Sequence, residues 1–227
     1  MEALVEDVTF STLPEETRAR LLLLAQRRTL KADAFLFHQG DEATYAYFVE
    51  RGHVKLTQVT LEGHEIVLGV VGPGGMVGGI VTLLGMDYPV SARAIEDTTL
   101  LYWHRDVLYR EVEQDGRLGL FVLRMLAARF QDLQNRYREL ASERVERRIA
   151  RTLLRLAVQA GRREENKVVI PFPVTRQMLA DMSGTTLYTV SRVLKRWQER
   201  GLIESERQRI SILSPHALVR VAEDLER

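Results

Sequence analysis

The chain has 227 residues, 45% hydrophobic and 28% charged, the balance of a folded protein with room for one large or two small domains. It contains no cysteine, which excludes disulfides, thiolate zinc sites, cysteine-ligated iron–sulfur clusters and a cysteine nucleophile. The net charge of +1 is unevenly spread: residues 1–110 carry −5, residues 111–140 carry 0 and residues 141–227 carry +6, so a polyanion partner is expected for the last segment alone. No apolar run approaches the ~20 residues that span a bilayer. The start, MEALVEDVTF, lacks the basic and apolar regions of a signal peptide. A cytoplasmic protein is expected.

Residues 1–30 read as a helical lead-in, with Pro14 in a first turn, Glu15 and Glu16 at the positive helix end and Leu21–Leu24 as the apolar face. From Ala34 to Trp103 short runs rich in β-branched and aromatic residues alternate with glycines: Phe35–Phe37, Tyr45–Val49, Val54–Val59, Ile66–Val71 and Leu100–Trp103. Turn signals every ~8–12 residues predict an antiparallel sandwich or barrel, closed as a jelly roll because such short strands cannot bury a face alone. Within it, Met76–Gly85 predicts a tight turn running into a short helix, and Tyr88–Ala94 a return to strand.

A long helix is predicted next. Leu123, Leu126, Phe130, Leu133, Tyr137 and Leu140 recur at steps of three and four, the spacing of a coiled-coil seam, and suggest pairing with a second copy in a homodimer. Ser142 reads as the N-cap of a further helix carrying Val145, Ile149, Leu153 and Leu156, with Gly161 as its terminator. A polar linker, Gly161–Lys167, and an extended Val168–Pro173 follow.

Residues 174–201 read VTRQMLADMSGTTLYTVSRVLKRWQERG. Thr175 caps a short helix with Met178, Leu179 and Met182 inward; Gly184 makes a tight turn; Thr186 caps a second helix whose buried stripe is Val190, Val193, Leu194 and Trp197. This is a helix-turn-helix. Its second helix leaves Thr185, Leu187, Tyr188, Ser191, Arg192, Lys195 and Arg196 outward, with Thr175, Arg176 and Gln177 beside them on the first. A major groove admits one such helix. Arg192, one turn in, is placed to fork onto guanine O6 and N7; Lys195, Arg196 and Arg200 can neutralise phosphates; Leu187 and Tyr188 offer apolar contact to thymine methyls. Leu202-Ile203, a charged turn Glu204–Arg207 and Gln208–Leu213 predict a hairpin wing, with Arg207 and Arg209 at its tip.

FHQGDEATYAYFVERGHVKL at 37–56, GPGGMVGG at 72–79 and VTRQMLADMSGTTLYTVSRVLKRWQERGLI at 174–203 together resemble the cyclic-AMP receptor protein and fumarate–nitrate regulator family of bacterial transcription factors. The resemblance spans some 200 residues and implies an α+β chain: an N-terminal antiparallel β jelly roll of cyclic-nucleotide-binding type (1–110), a long dimerisation helix (111–140) and a C-terminal winged helix-turn-helix that binds DNA (141–227). It further implies a homodimer on a two-fold double-stranded operator, with half-sites about 34 Å apart, and contact with RNA polymerase.

Departures from the family pattern set further expectations. The effector pocket is expected at Gly78, Gly79, Ile80, Tyr88, Pro89 and Val90, with Gln134 and Asn135 from the long helix. Where cyclic-AMP binders carry a ribose-binding Glu, this chain has Gly79; their phosphate-binding Arg-Ser pair falls on Tyr88-Pro89; their adenine-reading Thr-Ser falls near Leu133-Gln134 or Gln134-Asn135. Tyrosine cannot replace a guanidinium facing a phosphate, so no cyclic AMP and no other cofactor is expected. The cysteine cluster of the family's oxygen sensors is missing. His38, His53, His64 and His104 are isolated in turns and strands rather than grouped as haem or metal ligands. Only Arg192 remains of the base-reading trio, because the Arg-Glu positions hold Leu187-Tyr188. The expected protein is a DNA-binding regulator, not an enzyme, active without effector. The alternatives are gating by an unidentified small effector and, more remotely, a cupin-type metal enzyme. The latter wants a His-x-His pair, whereas His53 and His64 stand eleven residues apart.

Overall fold

A computed structural model describes residues 10–165, 167–206 and 209–223. The chain forms two compact units, residues 1–58 with 71–135 and residues 59–70 with 136–227. The first unit opens with a 3-10 turn, Phe10–Thr12, and α1, Glu15–Leu24, for which Pro14 is the N-cap rather than the first helical residue. Strands follow at β1 Gln26–Leu30, β2 Phe35–Phe37, β3 Tyr45–Arg51, β4 Val54–Val59, β5 Glu65–Val71, which falls in the second unit except for Val71, and β6 Met76–Val77. Then come α2 Gly79–Leu84, β7 Ser91–Ala94, β8 Thr98–His104 and α3 Arg105–Gln114. Two four-stranded sheets result, in the orders β1-β8-β3-β6 and β2-β7-β4-β5, the expected antiparallel jelly roll.

Strand β8 shows how the barrel is held. Leu100 points between the sheets with Phe37, Tyr47, Val49 and Val54. Its neighbours Leu101 and Trp103 point the other way, into a second core with Phe10, Leu21, Leu108 and Phe121. The period of two thus serves two cores at once. Trp103 is 2% exposed, and its indole donates to the Leu21 carbonyl at 2.8 Å, tying α1 to the sheet.

Several boundaries differ from the sequence reading. Residues 26–30 belong to a strand, not to the lead-in helix; QRRTL is polar because β1 is an edge strand held by its main-chain ladder to β8. The long helix, α4, runs Gly116–Ser142, and residues 111–114 end α3 instead, because Asp115 is extended and breaks the two apart. Ser142 is not an N-cap. Its hydroxyl donates back to the Arg138 carbonyl at 2.7 Å, and α5, Val145–Ala160, starts after an extended Arg144. The polar stretch after Gly161 folds as β9, Arg162–Glu164, an edge strand pairing with β10, Lys167–Val169.

The second unit adds α6 Arg176–Ser183, α7 Leu187–Glu199, β11 Ile203–Glu206, β12 Arg209–Ile212 and α8 Pro215–Glu223. Its sheet order is β11-β12-β10-β9. Glu204–Glu206, read as a charged turn, are strand residues paired through Glu206↔Arg209. Arg207 lies outside the described residues. No described helix is long and apolar enough to cross a membrane.

A buried charge cluster joins α1 to the α3–α4 junction. Asp115 accepts from Arg117 at 2.8 Å, from Arg20 at 3.2 Å and from the Thr17 hydroxyl. Those donors, Arg117 foremost and Thr17 next, hold its carboxyl far below its ordinary 3.8. A depressed folded value means that this stabilisation is complete above pH ~4 and is lost as acid protonates the group. The thermal midpoint should therefore fall on acidification below pH ~4, and Asp115→Asn should flatten that part of the profile; an unchanged acid limb would remove Asp115 from the cause.

Candidate nucleic-acid interface

Helices α6 and α7 are built as the sequence implies. The Thr175 hydroxyl accepts from the Met178 N–H and the Thr186 hydroxyl from the Thr189 N–H, so both N-termini are capped. Between them Gly184 sits at φ 61°, where other residues are strained, and a Cβ there would lie 2.3 Å from Leu140 Cδ2. Val190, Val193, Leu194 and Trp197 are all buried. With one stripe inward, Leu187, Tyr188, Arg192, Lys195 and Arg196 are exposed, and Thr185 and Ser191 are half-buried. On α6, Arg176 and Gln177 are exposed and Thr175 is half-buried; Arg209 is exposed on the wing. A shallow groove brings Arg176 of α6 beside Tyr188, Ser191, Arg192, Lys195 and Gln198 of α7.

Tertiary contacts engage two of the candidates and bring in two further residues. Arg196 already carries an ion pair: its guanidinium pairs with Glu146 of α5 at 2.5 Å, and the same carboxylate accepts the Trp197 indole N–H at 2.9 Å. Glu146 therefore anchors the far end of α7. Gln177 donates to Asp181 at 2.7 Å, which orients its amide. The i,i+4 spacing of Gln177 and Asp181 was readable in the sequence, whereas Glu146 lies fifty residues from Arg196 and sent no such signal. Gln198, absent from the sequence expectation, lines the groove about three turns beyond Leu187–Tyr188. Among the described residues Lys195 pairs with Glu199 alone, at 4.0 Å on an exposed face, a weak interaction.

The effector-type cassette is differently filled. Gly78 has φ 77° and caps α2; a Cβ there would lie 2.8 Å from the Tyr88 ring. Gly79 opens the helix, Ile80 is half-buried within it, Pro89 is exposed and Val90 half-buried. Tyr88 is only 3% exposed. Its ring stacks on Phe37 with centroids 3.5 Å apart, and its hydroxyl donates to the Tyr45 carbonyl. Burial pushes its phenol pKa up, so it stays neutral. Gln134 and Asn135 are exposed on α4. Among the described residues no three His, Cys, Asp or Glu side chains gather to hold a metal ion.

Helix α4 carries an uncovered apolar stripe. Leu123, Leu126, Phe130, Leu133, Tyr137 and Leu140 are 45–75% exposed, and Leu120 extends the stripe by one turn. Seven large apolar side chains on one helix face form a patch of the kind that marks an association surface.

Comparison with known proteins agrees with this architecture. The cyclic nucleotide-binding domain family matches residues 27–115, and the Crp-like helix-turn-helix domain family matches residues 147–221. The transcriptional activator protein anr of Pseudomonas aeruginosa is 30% identical over 203 residues, covering 88% of this chain and 82% of that one. The chain belongs to the CRP/FNR family of transcription regulators. The cyclic AMP receptor protein of Thermus thermophilus is also 30% identical, over 84% of each chain. A solved CRP-family transcriptional regulator from Thermus thermophilus is 26% identical, covers 86% of this chain and 96% of its own, and superposes with a TM-score of 0.72. This CRP/FNR chain thus carries the family's Crp-like helix-turn-helix domain after a domain of cyclic nucleotide-binding type.

Proposed function

We propose that this CRP/FNR-family regulator works in the cytoplasm as a homodimer that binds two-fold double-stranded DNA and contacts RNA polymerase, and that it does so without cyclic AMP. The observation that carries the reading is the division of α7: its apolar stripe is buried, while Tyr188, Arg192 and Lys195 are left to solvent with Arg176 beside them. Arg192 suits a guanine, Tyr188 and Leu187 suit thymine methyls, and Lys195, Arg176 and Arg209 suit phosphates. The capped N-terminus of α7 adds favourable N–H groups for a phosphate. The stripe on α4 supplies an isologous surface, on which each copy meets the same residues of its partner.

The packing of Tyr88 supports independence from cyclic nucleotide. A ligand at that place would have to unstack Tyr88 from Phe37 and break its hydrogen bond to Tyr45. A phosphate left there without a cation would cost several kcal/mol. Selection of bound duplexes from random DNA with extensively dialysed protein tests the DNA reading: paired, inverted half-sites support it, and failure to retain any duplex at low salt overturns it. Calorimetry with cyclic AMP and cyclic GMP tests the rest. No saturable heat is expected, and sub-micromolar binding by either nucleotide would reverse the assignment.

A further inference from the structure

The junction between α4 and α5 is fastened by charges whose place in the fold is not explained by DNA contact. Glu139, in the last turns of α4, is almost enclosed, and Arg155 Nη1 lies 2.9 Å from both of its carboxylate oxygens. One turn later Glu143, equally enclosed, takes Arg151 at 3.1 Å and Arg147 at 3.6 Å. Two carboxylates at i,i+4 thus face three arginines at i,i+4 along α5, ridge against ridge. Arg148, on the adjoining face, donates to three backbone carbonyls at once: Glu143 at 2.9 Å, Ser183 at 2.9 Å and Gly184 at 3.0 Å. The first lies at the α4–α5 junction. The other two end α6, where the helix dipole favours a cation. Leu140 fills the space beside Gly184, so one residue of the apolar stripe touches the turn of the helix-turn-helix.

We propose that Glu139, Glu143, Arg148 and Arg155 are positioning residues. They hold the helix-turn-helix at one setting against the end of α4, and so determine the half-site spacing that a dimer accepts. The inference rests on the homodimer reading above. Enclosed ion pairs are poor sources of net stability, because desolvation offsets most of the attraction. They are good sources of geometry, because a guanidinium between two carboxylate oxygens tolerates little displacement. A regulator whose barrel does not await a ligand needs another device to set its reading heads, and this junction supplies one within the unit that contains them.

Operator spacing reads the device directly. A duplex is selected with the wild-type protein, and versions with one or two base pairs added to or removed from its centre are compared. Each base pair moves a half-site by about 3.4 Å and turns it by about 34°. The wild type should lose about tenfold or more per base pair, because one head can no longer engage while the other is bound. Arg155→Met should stay dimeric, keep binding single half-sites and discriminate spacing by no more than about threefold. The exchanged pair Glu139→Arg with Arg155→Glu should regain discrimination. A dimeric Arg155→Met with the wild-type spacing profile overturns the proposal, since a merely structural pair would lower affinity evenly. If Arg155→Met does not fold, Glu139→Gln, which keeps the side-chain shape, takes its place under the same criterion. A wild type that selects only single half-sites overturns the homodimer reading and this inference with it; paired half-sites with an unchanged variant overturn this inference alone.

Discussion

Phe130→Asp is expected to leave the protein monomeric at micromolar concentration and to lower its affinity for a two-fold duplex by about 10²–10⁴. Phe130 sits at the middle of the α4 stripe, with Leu126 and Leu133 on either side, and all three are exposed in the single chain. In a two-fold pairing of α4 with its copy each substitution appears twice, so a single codon change buries two unpaired carboxylates. Leaving a charge buried without a partner costs about 3–5 kcal/mol, enough to remove an interface built on one helix face. The DNA loss follows from the dimer loss, because a monomer engages one half-site and forfeits the high local concentration that tethering gives the second. Light scattering and a binding titration read the two effects separately. A variant that stays dimeric would move the interface off this stripe.

The second large effect is expected from Arg192→Ala. Each half-site should lose about 1–3 kcal/mol of binding, with preference relaxed at one base pair in each. The side chain lies in the groove formed with Arg176 and Tyr188 and is exposed. No described carboxylate holds it in an ion pair, in contrast to Arg196, which Glu146 already engages. Lys195→Ala is the informative control. A lysine that neutralises a phosphate carries no sequence information, so its loss should weaken binding across sequences and reduce the slope of log affinity against log salt by about 1. If Arg192→Ala changes the salt slope and leaves base preference untouched, the two assignments must be exchanged and α7 lies differently against the bases.

Much of this was readable in one dimension because it depends on local periodicity. The stripe Val190, Val193, Leu194 and Trp197 follows the turn of a helix, and caps at Thr175 and Thr186 obey nearest-neighbour hydrogen bonding. Alternating apolar residues located β2 to β5 and β8, since a strand with one face in a core must repeat every second residue. The strands that escaped include β1 and β9, which are polar edge strands, and β6, a two-residue edge strand where a tight turn was expected. The ladder that holds β1 and β9 uses backbone atoms present in every sequence, so their polar side chains give no alternation to read.

The sequence by itself determined the order of modules, the two capped helices of the reader and the outward set that includes Tyr188, Arg192 and Lys195. Each of these follows from residue type and short spacing. Only the tertiary structure decided which of those charges are already engaged. Glu146 takes Arg196 and Trp197, Tyr88 turns inward onto Phe37, and Arg148 gathers carbonyls from two separate segments. The physical reason is the same in all three. A charge or ring is assigned its role by the partner that desolvates it, and that partner stands 35 to 51 positions away in the chain for the contacts that matter most.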